Sequence, residues 1–443
     1  MYVLCPRPGD FSIAVNKRSG SCGLTKALPF LLPQLPDLDF FEHQELDIEM
    51  ASDAMPPVRP KDRFLVFGAP QIEQAEIDEV VDSLKSGWLG TGPKVARFEQ
   101  ALRDYVGAPY AAAVNSCTAA LHLALIAAGV GPGDEVVTTP LTFCATVNAI
   151  LHAGATPVLA DVDPETMNID PVRVAGRITP RTKALLPVHF AGRPCDMGNL
   201  VDLARQHNLQ LIEDCAHAIE TEYHGQKAGT FGDFGCFSFY VTKNVVTGEG
   251  GMITARDEEA IKRIKMLALH GMSADAWKRF SDEGYKHYFV AEAGFKYNMM
   301  DIQAAIGLHQ LDRVEANWQH RCAIWDRYVE AFSDLPLTLP AATEPQTRHA
   351  RHLFPVLIDA DRAGISRDGF LSAMHAQNIG TGVHYLSLPE HPYYQDRLGW
   401  TPEDWPNAMR IGRQTVSLPL SARLSDADVV DVIRAVRRVL NRE

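Results

Sequence analysis

One lysine of the sequence lies in a constrained setting. Lys243 falls within FSFYVTKNVVTGEGG (237–251), between an aromatic and β-branched run that is typical of a buried strand and a glycine-rich run that predicts a sharp turn. The next residues, 252–255, predict another strand. We therefore expect Lys243 at a strand end, held by backbone on both sides. A lysine amine fixed in this way can form a Schiff base with a carbonyl compound and afterwards carry a proton.

Two carboxylates end another apolar run. Glu213 and Asp214 close LQLIED (209–214), whose pattern predicts a buried strand, and His217 follows soon after Asp214. Ligands of open α/β sheets bind at the carboxyl ends of the strands. A carboxylate there can pair with a protonated ring nitrogen, and His217 is near enough to join it. A solvated Asp214, or one that caps a helix, is the alternative interpretation.

A third segment has the features of a phosphate site. In AAAVNSCTAALHLAL (111–125), a predicted strand ends at Val114, a loop of small residues follows, and a helix begins at once. Free backbone N–H groups at such a helix start, together with the Thr118 hydroxyl, favour a phosphate. Ordinary N-capping by Ser116 or Thr118 explains the same residues.

These three features together would surround one flat, phosphorylated ring that carries an aldehyde. Pyridoxal 5′-phosphate has this chemistry, with Lys243 binding the aldehyde and Asp214 keeping the ring nitrogen protonated so that the ring accepts electrons. Other common motifs are not matched. GTGPKV begins like a dinucleotide loop, but Val95 stands at the third glycine position and no strand precedes it; no G-x-S-x-G elbow occurs.

The elements that must position these residues alternate along the chain. From about residue 73, amphipathic helices and short apolar strands follow one another, which predicts βαβ units and an α/β fold with a mostly parallel sheet flanked by helices. The last part has the pattern of a smaller α+β domain. We predict a large cofactor-binding domain over 59–315 and a small C-terminal domain over 316–443.

The first part of the chain is unlike the rest. Residues 1–58 contain prolines and acids without a sustained period, and we predict a poorly ordered N-terminal extension. A misplaced start codon, with Met50 or Met55 as the true start, would explain it. A docking tail is the alternative, and no residue pattern favours it.

Composition limits the class of protein. The 443 residues include 42 basic and 55 acidic side chains, a net charge of −13, which argues against nucleic acid or an anionic membrane as the main partner. The eight cysteines show no C-x-x-C spacing, so we expect no metal site and no disulfide framework. No apolar run reaches membrane-spanning length and no signal peptide is recognisable, so we expect a cytoplasmic protein.

At the residues already singled out, the sequence resembles the DegT/DnrJ/EryC1/StrS family of pyridoxal-phosphate-dependent sugar aminotransferases. The resemblance runs from about Val66 to the C-terminus, and the stretches that match in order are SGWLGTGPKVARFE, NSCTAALHLAL, TFCATVNAI, DVDPETMNID, IEDCAHA, FSFYVTKNVVTGEGG and GFKYNMMDIQAAIGLHQL. It implies a fold-type-I transferase that acts as a homodimer with shared active sites. It also implies amination of a nucleotide-linked keto-sugar, with L-glutamate as the usual amino donor.

The resemblance implies a role for individual residues. Lys243 is implied to be the Schiff-base lysine and Asp214 the partner of the ring nitrogen. Phe143 falls at the position of the aromatic that stacks on the cofactor, and His217 at a contact to its hydroxyl side. The remaining implied positions are the phosphate ligands Thr118, Ala119 and Ser238, Asn298 reaching from the neighbouring subunit, and His384 on the substrate side.

Some positions depart from the family pattern. Cys117 stands where glycine is usual, which still leaves backbone donors in the loop. YNMMD lacks the arginine that many members place after the asparagine, as in a subgroup that aminates sugar C4, and so indicates C4. Members that are dehydratases have histidine at the position of Lys243, so Lys243 argues against that chemistry here.

A catalytically silent regulator is the alternative function. The intact Lys243, Asp214 and phosphate loop disfavour it. The variable segment 270–290 is where we expect contacts to the sugar.

Overall fold

The computed structural model describes residues 56–272 and 289–441. The predicted N-terminal extension therefore lies almost wholly outside the described residues, and so does most of the segment 270–290 that we expect to contact a sugar. Within the described ranges, no helix is both long and apolar enough to cross a membrane.

The central element is a seven-stranded sheet in the order β1-β9-β8-β5-β4-β2-β3. The pairs between β2 and β3, β2 and β4, β4 and β5, and β5 and β8 are parallel, whereas β9 is antiparallel to both of its neighbours. The mostly parallel sheet expected from the sequence is confirmed. The strands are β1 Tyr110–Val114, β2 Glu135–Thr138, β3 Thr156–Leu159, β4 Thr182–Leu186, β5 Gln210–Asp214, β6 Glu222–Tyr223, β7 Gln226–Lys227, β8 Phe234–Ser238, β9 Gly251–Ala255, β10 Thr347–Arg348, β11 Phe354–Leu357 and β12 Thr415–Leu418.

Helices lie between the strands as the alternating pattern predicts. They are α1 Gln74–Ser86, α2 Pro93–Val106, α3 Cys117–Ala127, α4 Cys144–His152, α5 Pro171–Ala175, α6 Met197–Gln206, α7 Glu258–Leu267, α8 Asp301–Asp312, α9 Val314–Phe332, α10 Ala360–Ala363, α11 Arg367–Ala376, α12 Pro392–Leu398, α13 Pro406–Gln414 and α14 Asp426–Val439. Helix α1 ends at Gly87 in the left-handed conformation, as expected from its sequence, because glycine has no Cβ to clash there.

The sheet core explains why the site-bearing segments are so apolar. Helix α3 is buried on nearly every side because it packs on β8 and β9 with one face and on α4 and α7 with others. Its alanines let the backbone approach the sheet closely. The start of this helix is therefore fixed relative to the ends of β1 and β8.

A second core lies in the C-terminal part of the chain. The antiparallel pair β11 and β12, in register at Phe354 and Leu418, packs with α9, α11 and α14 around buried aromatic and aliphatic side chains. This is the α+β arrangement expected there. Residues of this region reach the edge of the large sheet, as the site below shows.

Candidate active site

Three strands end at the same edge of the sheet. Val114 ends β1, Asp214 ends β5 and Ser238 ends β8, and Gly251, the first residue of the antiparallel β9, pairs with both Val114 and Ser238. A Cβ added at Gly251 would lie 2.5 Å from the Ser116 carbonyl carbon. Only glycine permits this approach, which brings the loop before α3 next to the end of β8.

The start of α3 is built to receive an anion. The Ser116 hydroxyl caps the helix by accepting a hydrogen bond from the Ala119 N–H at 3.1 Å, so the capping that the sequence left open is present. The N–H groups of Cys117 and Thr118, in the first turn, have no acceptor within the helix. Together with the half-buried hydroxyls of Thr118 and Ser238, they supply donors that suit a phosphate.

Lys243 lies in the turn that joins β8 to β9. Because β8 ends at Ser238, the lysine is not at the strand end, as we expected, but within the following turn, where its N–H donates to the Tyr240 carbonyl at 2.8 Å. Burial lowers the pKa of its amine to about 8, although interactions with Cys117 and Asp214 partly oppose the shift. An amine with this pKa is partly neutral near pH 7 and can act as a nucleophile or base.

Asp214 faces the same space as Lys243. Its Oδ2 accepts from the Thr146 hydroxyl at 2.9 Å and its Oδ1 from the Ala216 N–H at 3.1 Å. Burial raises the pKa of the carboxyl above its ordinary range, although these two hydrogen bonds and the Lys243 charge partly oppose the shift. A buried carboxylate that lacks a full counter-charge suits a protonated ring nitrogen.

The neighbouring carboxylate serves a different purpose. Glu213 points to the opposite face of β5, where its two oxygens accept from the N–H groups of Gly229, Phe231 and Gly232 at 2.8–2.9 Å, and from His189 Nε2 at 3.1 Å. Every acceptor direction is used within the protein. Of the two carboxylates that the sequence offered, only Asp214 is available to a ligand.

His217 is fixed on both ring nitrogens. Its Nδ1 accepts from the Ala191 N–H at 3.2 Å, and its Nε2 lies 3.0 Å from the Tyr385 hydroxyl. The His352 ring packs on it with centroids 4.5 Å apart. Burial, followed by the Lys243 charge, lowers the pKa of His217 well below its ordinary value, so the ring is neutral at physiological pH.

Aromatic and histidine side chains from distant parts of the chain close the site. Phe143 is 57% exposed, an unusual state for a phenylalanine, and its ring centroid lies 6.0 Å from that of Tyr385. His384 Nδ1 lies 2.9 Å from the Ser417 hydroxyl, and burial, followed by the Lys243 charge, lowers its pKa to about 3. An exposed aromatic at such an edge offers a flat surface to a ring.

Asn298 lies next to the end of β1, close to the loop that precedes α3. It bridges Val114 across the edge of β1, and its Nδ2 donates to the Thr91 hydroxyl at 2.7 Å. Within one chain, therefore, the amide is used by Thr91. Its role toward a neighbouring subunit stays a prediction.

Sequence reasoning missed Thr146, Tyr385 and His352. Thr146 falls within TFCATVNAI and Tyr385 directly follows His384, so both lay inside segments already singled out. The hydrogen bonds that give them importance join residues far apart in sequence. No local pattern marks His352, whose ring contacts His217 only through the fold.

Comparison with known proteins decides the family. The sequence model of the DegT/DnrJ/EryC1/StrS aminotransferase family matches residues 70–437. This chain belongs to that family. It is accordingly a sugar aminotransferase of fold type I that depends on pyridoxal phosphate, and the lysine, carboxylate and helix start described above fit that cofactor.

Individual relatives agree over nearly their whole length. The chain is 49% identical to the spore coat polysaccharide biosynthesis protein SpsC of Bacillus subtilis over 86% of its own residues and 99% of the relative. Among solved structures, the PMP form of the putative sugar aminotransferase Spr1654 from Streptococcus pneumoniae matches with a TM-score of 0.80 and 35% identity, over 85% of this chain and 99% of that one. PseC of Helicobacter pylori, an aminotransferase of pseudoaminic acid biosynthesis, matches with a TM-score of 0.79 and 28% identity, over 86% and 100%.

Proposed function

We propose that this aminotransferase moves an amino group from L-glutamate to a nucleotide-linked keto-sugar, at sugar C4, in polysaccharide biosynthesis. The family and the two biosynthetic relatives, SpsC and PseC, support the substrate class. Met299 after Asn298, in place of arginine, supports C4. The observation that carries the proposal is the Lys243 amine, with a pKa of about 8, beside the Asp214 carboxylate at one sheet edge.

Each side chain then has a defined task. When bound, pyridoxal phosphate supplies an electron-accepting ring next to the carbon that gains or loses nitrogen. Lys243 would hold the cofactor and move the proton at that carbon, and Asp214 would keep a proton on the ring nitrogen. Phe143 would cover one face of the ring. The first turn of α3, with Thr118, Ala119 and Ser238, would bind the phosphate, and His384 would lie on the sugar side.

A working enzyme is favoured over a catalytically silent regulator. Lys243, Asp214 and the helix start are all retained and all lie at one edge of the sheet. The six cysteines among the described residues are all free thiols, which supports a reducing compartment, and we place the enzyme in the cytoplasm. We also propose the division into a large domain over 59–315 and a small domain over 316–443.

The direct test is a defined reaction. The purified protein, loaded with pyridoxal phosphate, is mixed with L-glutamate and a panel of nucleotide-linked keto-sugars, and 2-oxoglutarate and the aminated sugar are measured. We expect 2-oxoglutarate to accumulate only when both substrates are present, with the new amine at C4 by NMR. If glutamate leaves the visible absorbance of the bound cofactor unchanged and no sugar is aminated, the silent regulator is the better description.

The shared active site has a test of its own. We propose that Asn298 of one subunit binds the cofactor phosphate of the other. Asn298→Asp would place a carboxylate against that phosphate and weaken cofactor binding. Mixing Lys243→Ala chains with Asn298→Asp chains under conditions of subunit exchange should restore activity, because each mixed dimer then contains one site with both wild-type residues. Confirmed exchange without recovered activity would show that Asn298 does not act in the partner's site.

A further inference from the structure

The orientation of His217 is set by an unusual backbone segment. Ala191 has φ 55°, a left-handed conformation that is uncommon for a residue with a Cβ, and Gly192 follows with φ 91°. A Cβ at Gly192 would lie 2.8 Å from the His217 carbonyl oxygen, so only glycine allows this segment to pack there. The Ala191 N–H is thereby directed at His217 Nδ1. Strained backbone of this kind is found where a fixed geometry is needed.

The direction of one hydrogen bond follows from this arrangement. Because His217 Nδ1 accepts a backbone proton, the single proton of the neutral ring lies on Nε2. Nε2–H therefore donates to the oxygen of Tyr385, 3.0 Å away. The Tyr385 oxygen is the acceptor in this bond, so its own proton is left to donate to another group. The hydroxyl has no other hydrogen-bond partner among the described residues.

The surroundings of Tyr385 place its ring beside the other residues of the candidate site. The ring is half-buried, stacks on His217 with 16° between the planes, and lies beside the exposed Phe143. Burial raises the pKa of its hydroxyl, with further contributions from Asp214 and Cys144, so the group stays protonated. Asp214, which also acts on the amine of Lys243, is thus near enough to influence the Tyr385 hydroxyl. In pyridoxal phosphate, the ring hydroxyl is on the carbon two positions from the ring nitrogen. Asp214 would bind that nitrogen, so a residue near Asp214 can reach the hydroxyl.

We infer that the Tyr385 hydroxyl is a further contact to bound pyridoxal phosphate, donating a hydrogen bond to the oxygen of the cofactor's ring hydroxyl, with His217 as the residue that orients it. A donor at this oxygen stabilises its anionic form, and so lowers the pH at which the lysine-bound cofactor loses its proton. The inference rests on the use of pyridoxal phosphate and not on the sugar proposed above.

The test uses the purified protein and pyridoxal phosphate alone. In Tyr385→Phe, the pH midpoint of the visible-absorbance change of bound cofactor should rise by about one pH unit, because a hydrogen bond to a charged oxygen is lost. The dissociation constant of the cofactor should rise about tenfold or more by the same reasoning. Tyr394→Phe is the matched control, since the Tyr394 hydroxyl donates to Asn148 and not to His217, and its midpoint should equal that of the wild type.

A second substitution gives a shift of opposite sign. Replacing Tyr385 by 3,5-difluorotyrosine keeps the ring and its packing but makes the hydroxyl more acidic and a stronger donor while it is protonated. The midpoint should then fall below that of the wild type. Lys243, His352 and His384 are the charged or titratable groups that act on His217, and neither substitution removes them. A rise of the midpoint in Tyr385→Phe together with a fall in the fluorinated variant would support the inference, and any other pair of results would overturn it.

Discussion

Glu213 and Asp214 are neighbours on β5, and their surroundings on the two faces of the strand differ completely. Glu213 lies in a closed pocket where three backbone N–H groups and His189 occupy its oxygens. Asp214 has two donors, Thr146 and Ala216, and opens toward Lys243. A carboxylate whose hydrogen bonds are complete stabilises the fold, whereas one left short of partners is destabilised by burial and is ready for a ligand that completes them.

The largest effect on turnover is expected on the face of β5 that carries Asp214 and opens toward Lys243, called the open face below. Lys243→Ala removes the amine that we propose binds the cofactor and moves the proton, so turnover should fall to nearly zero. The protein should still fold, because the side chain makes no hydrogen bond that the described structure requires. Turnover with glutamate and keto-sugar, together with the visible absorbance of the cofactor, measures this. A variant with a near-native rate would contradict the role of Lys243.

Asp214→Asn removes the charge on the same face while keeping its shape. We expect kcat to fall by about 10²-fold or more, roughly 2.7 kcal/mol of barrier, because the ring nitrogen no longer holds its proton firmly. Unchanged kcat with full cofactor occupancy would exclude this role.

Asp214→Asn should lower kcat, but in the cofactor-free protein it should not lower stability. Burial raises the pKa of Asp214, so the folded state binds more protons than the unfolded state, and stability falls as pH rises above the unfolded pKa of about 4. Asn at this position has no charge to bury. The free energy of unfolding of the cofactor-free variant should therefore be equal to or higher than that of the wild type near pH 7, by urea denaturation.

The buried amine of Lys243 should make the rate of cofactor binding depend on pH. Because burial lowers its pKa to about 8, the neutral fraction rises about tenfold per pH unit below that value and levels off above it. The rate at which visible absorbance appears after pyridoxal phosphate is added to cofactor-free protein should follow this curve. A rate that continues to rise through pH 10, as for an exposed lysine, would show that the open face does not perturb the amine.

The smallest effect on catalysis and the largest effect on stability are expected on the other face of β5, where the hydrogen bonds of Glu213 are complete. In Glu213→Gln, whichever oxygen becomes an NH₂ group faces two donors, and two unpaired buried donors at about 1–3 kcal/mol each destabilise the fold by roughly 2–6 kcal/mol. The turnover of the folded fraction should stay within about threefold of the wild type. Thermal or urea unfolding, compared with Asp214→Asn, measures the contrast. Equal stability of the two variants would remove the distinction between the faces.

Much of the architecture could be read from local pattern. The alternation of helices and strands, the strand that ends at Asp214, the capped start of α3 and the glycine-rich turn after Lys243 all depend on neighbours in sequence, and all are confirmed in kind. The exact end of β8 was not predictable, because Phe239 continues the apolar run although its N–H already bonds to the Gly250 carbonyl in the turn. A buried turn and a buried strand can both contain apolar residues, so the sequence alone does not show where one ends and the other begins.

The sequence by itself determined which residue types could do chemistry and, through resemblance, which cofactor they serve, because strand ends, helix starts and glycine turns are encoded by short segments. Tertiary structure alone decided which of two adjacent carboxylates lies on the side of Lys243, since the side-chain alternation of β5 becomes meaningful only when both faces are covered. It also decided the partners of His217. The Ala191 N–H, Tyr385 and His352 come from three distant segments that meet only when the C-terminal region packs against the sheet edge, and no local rule relates them.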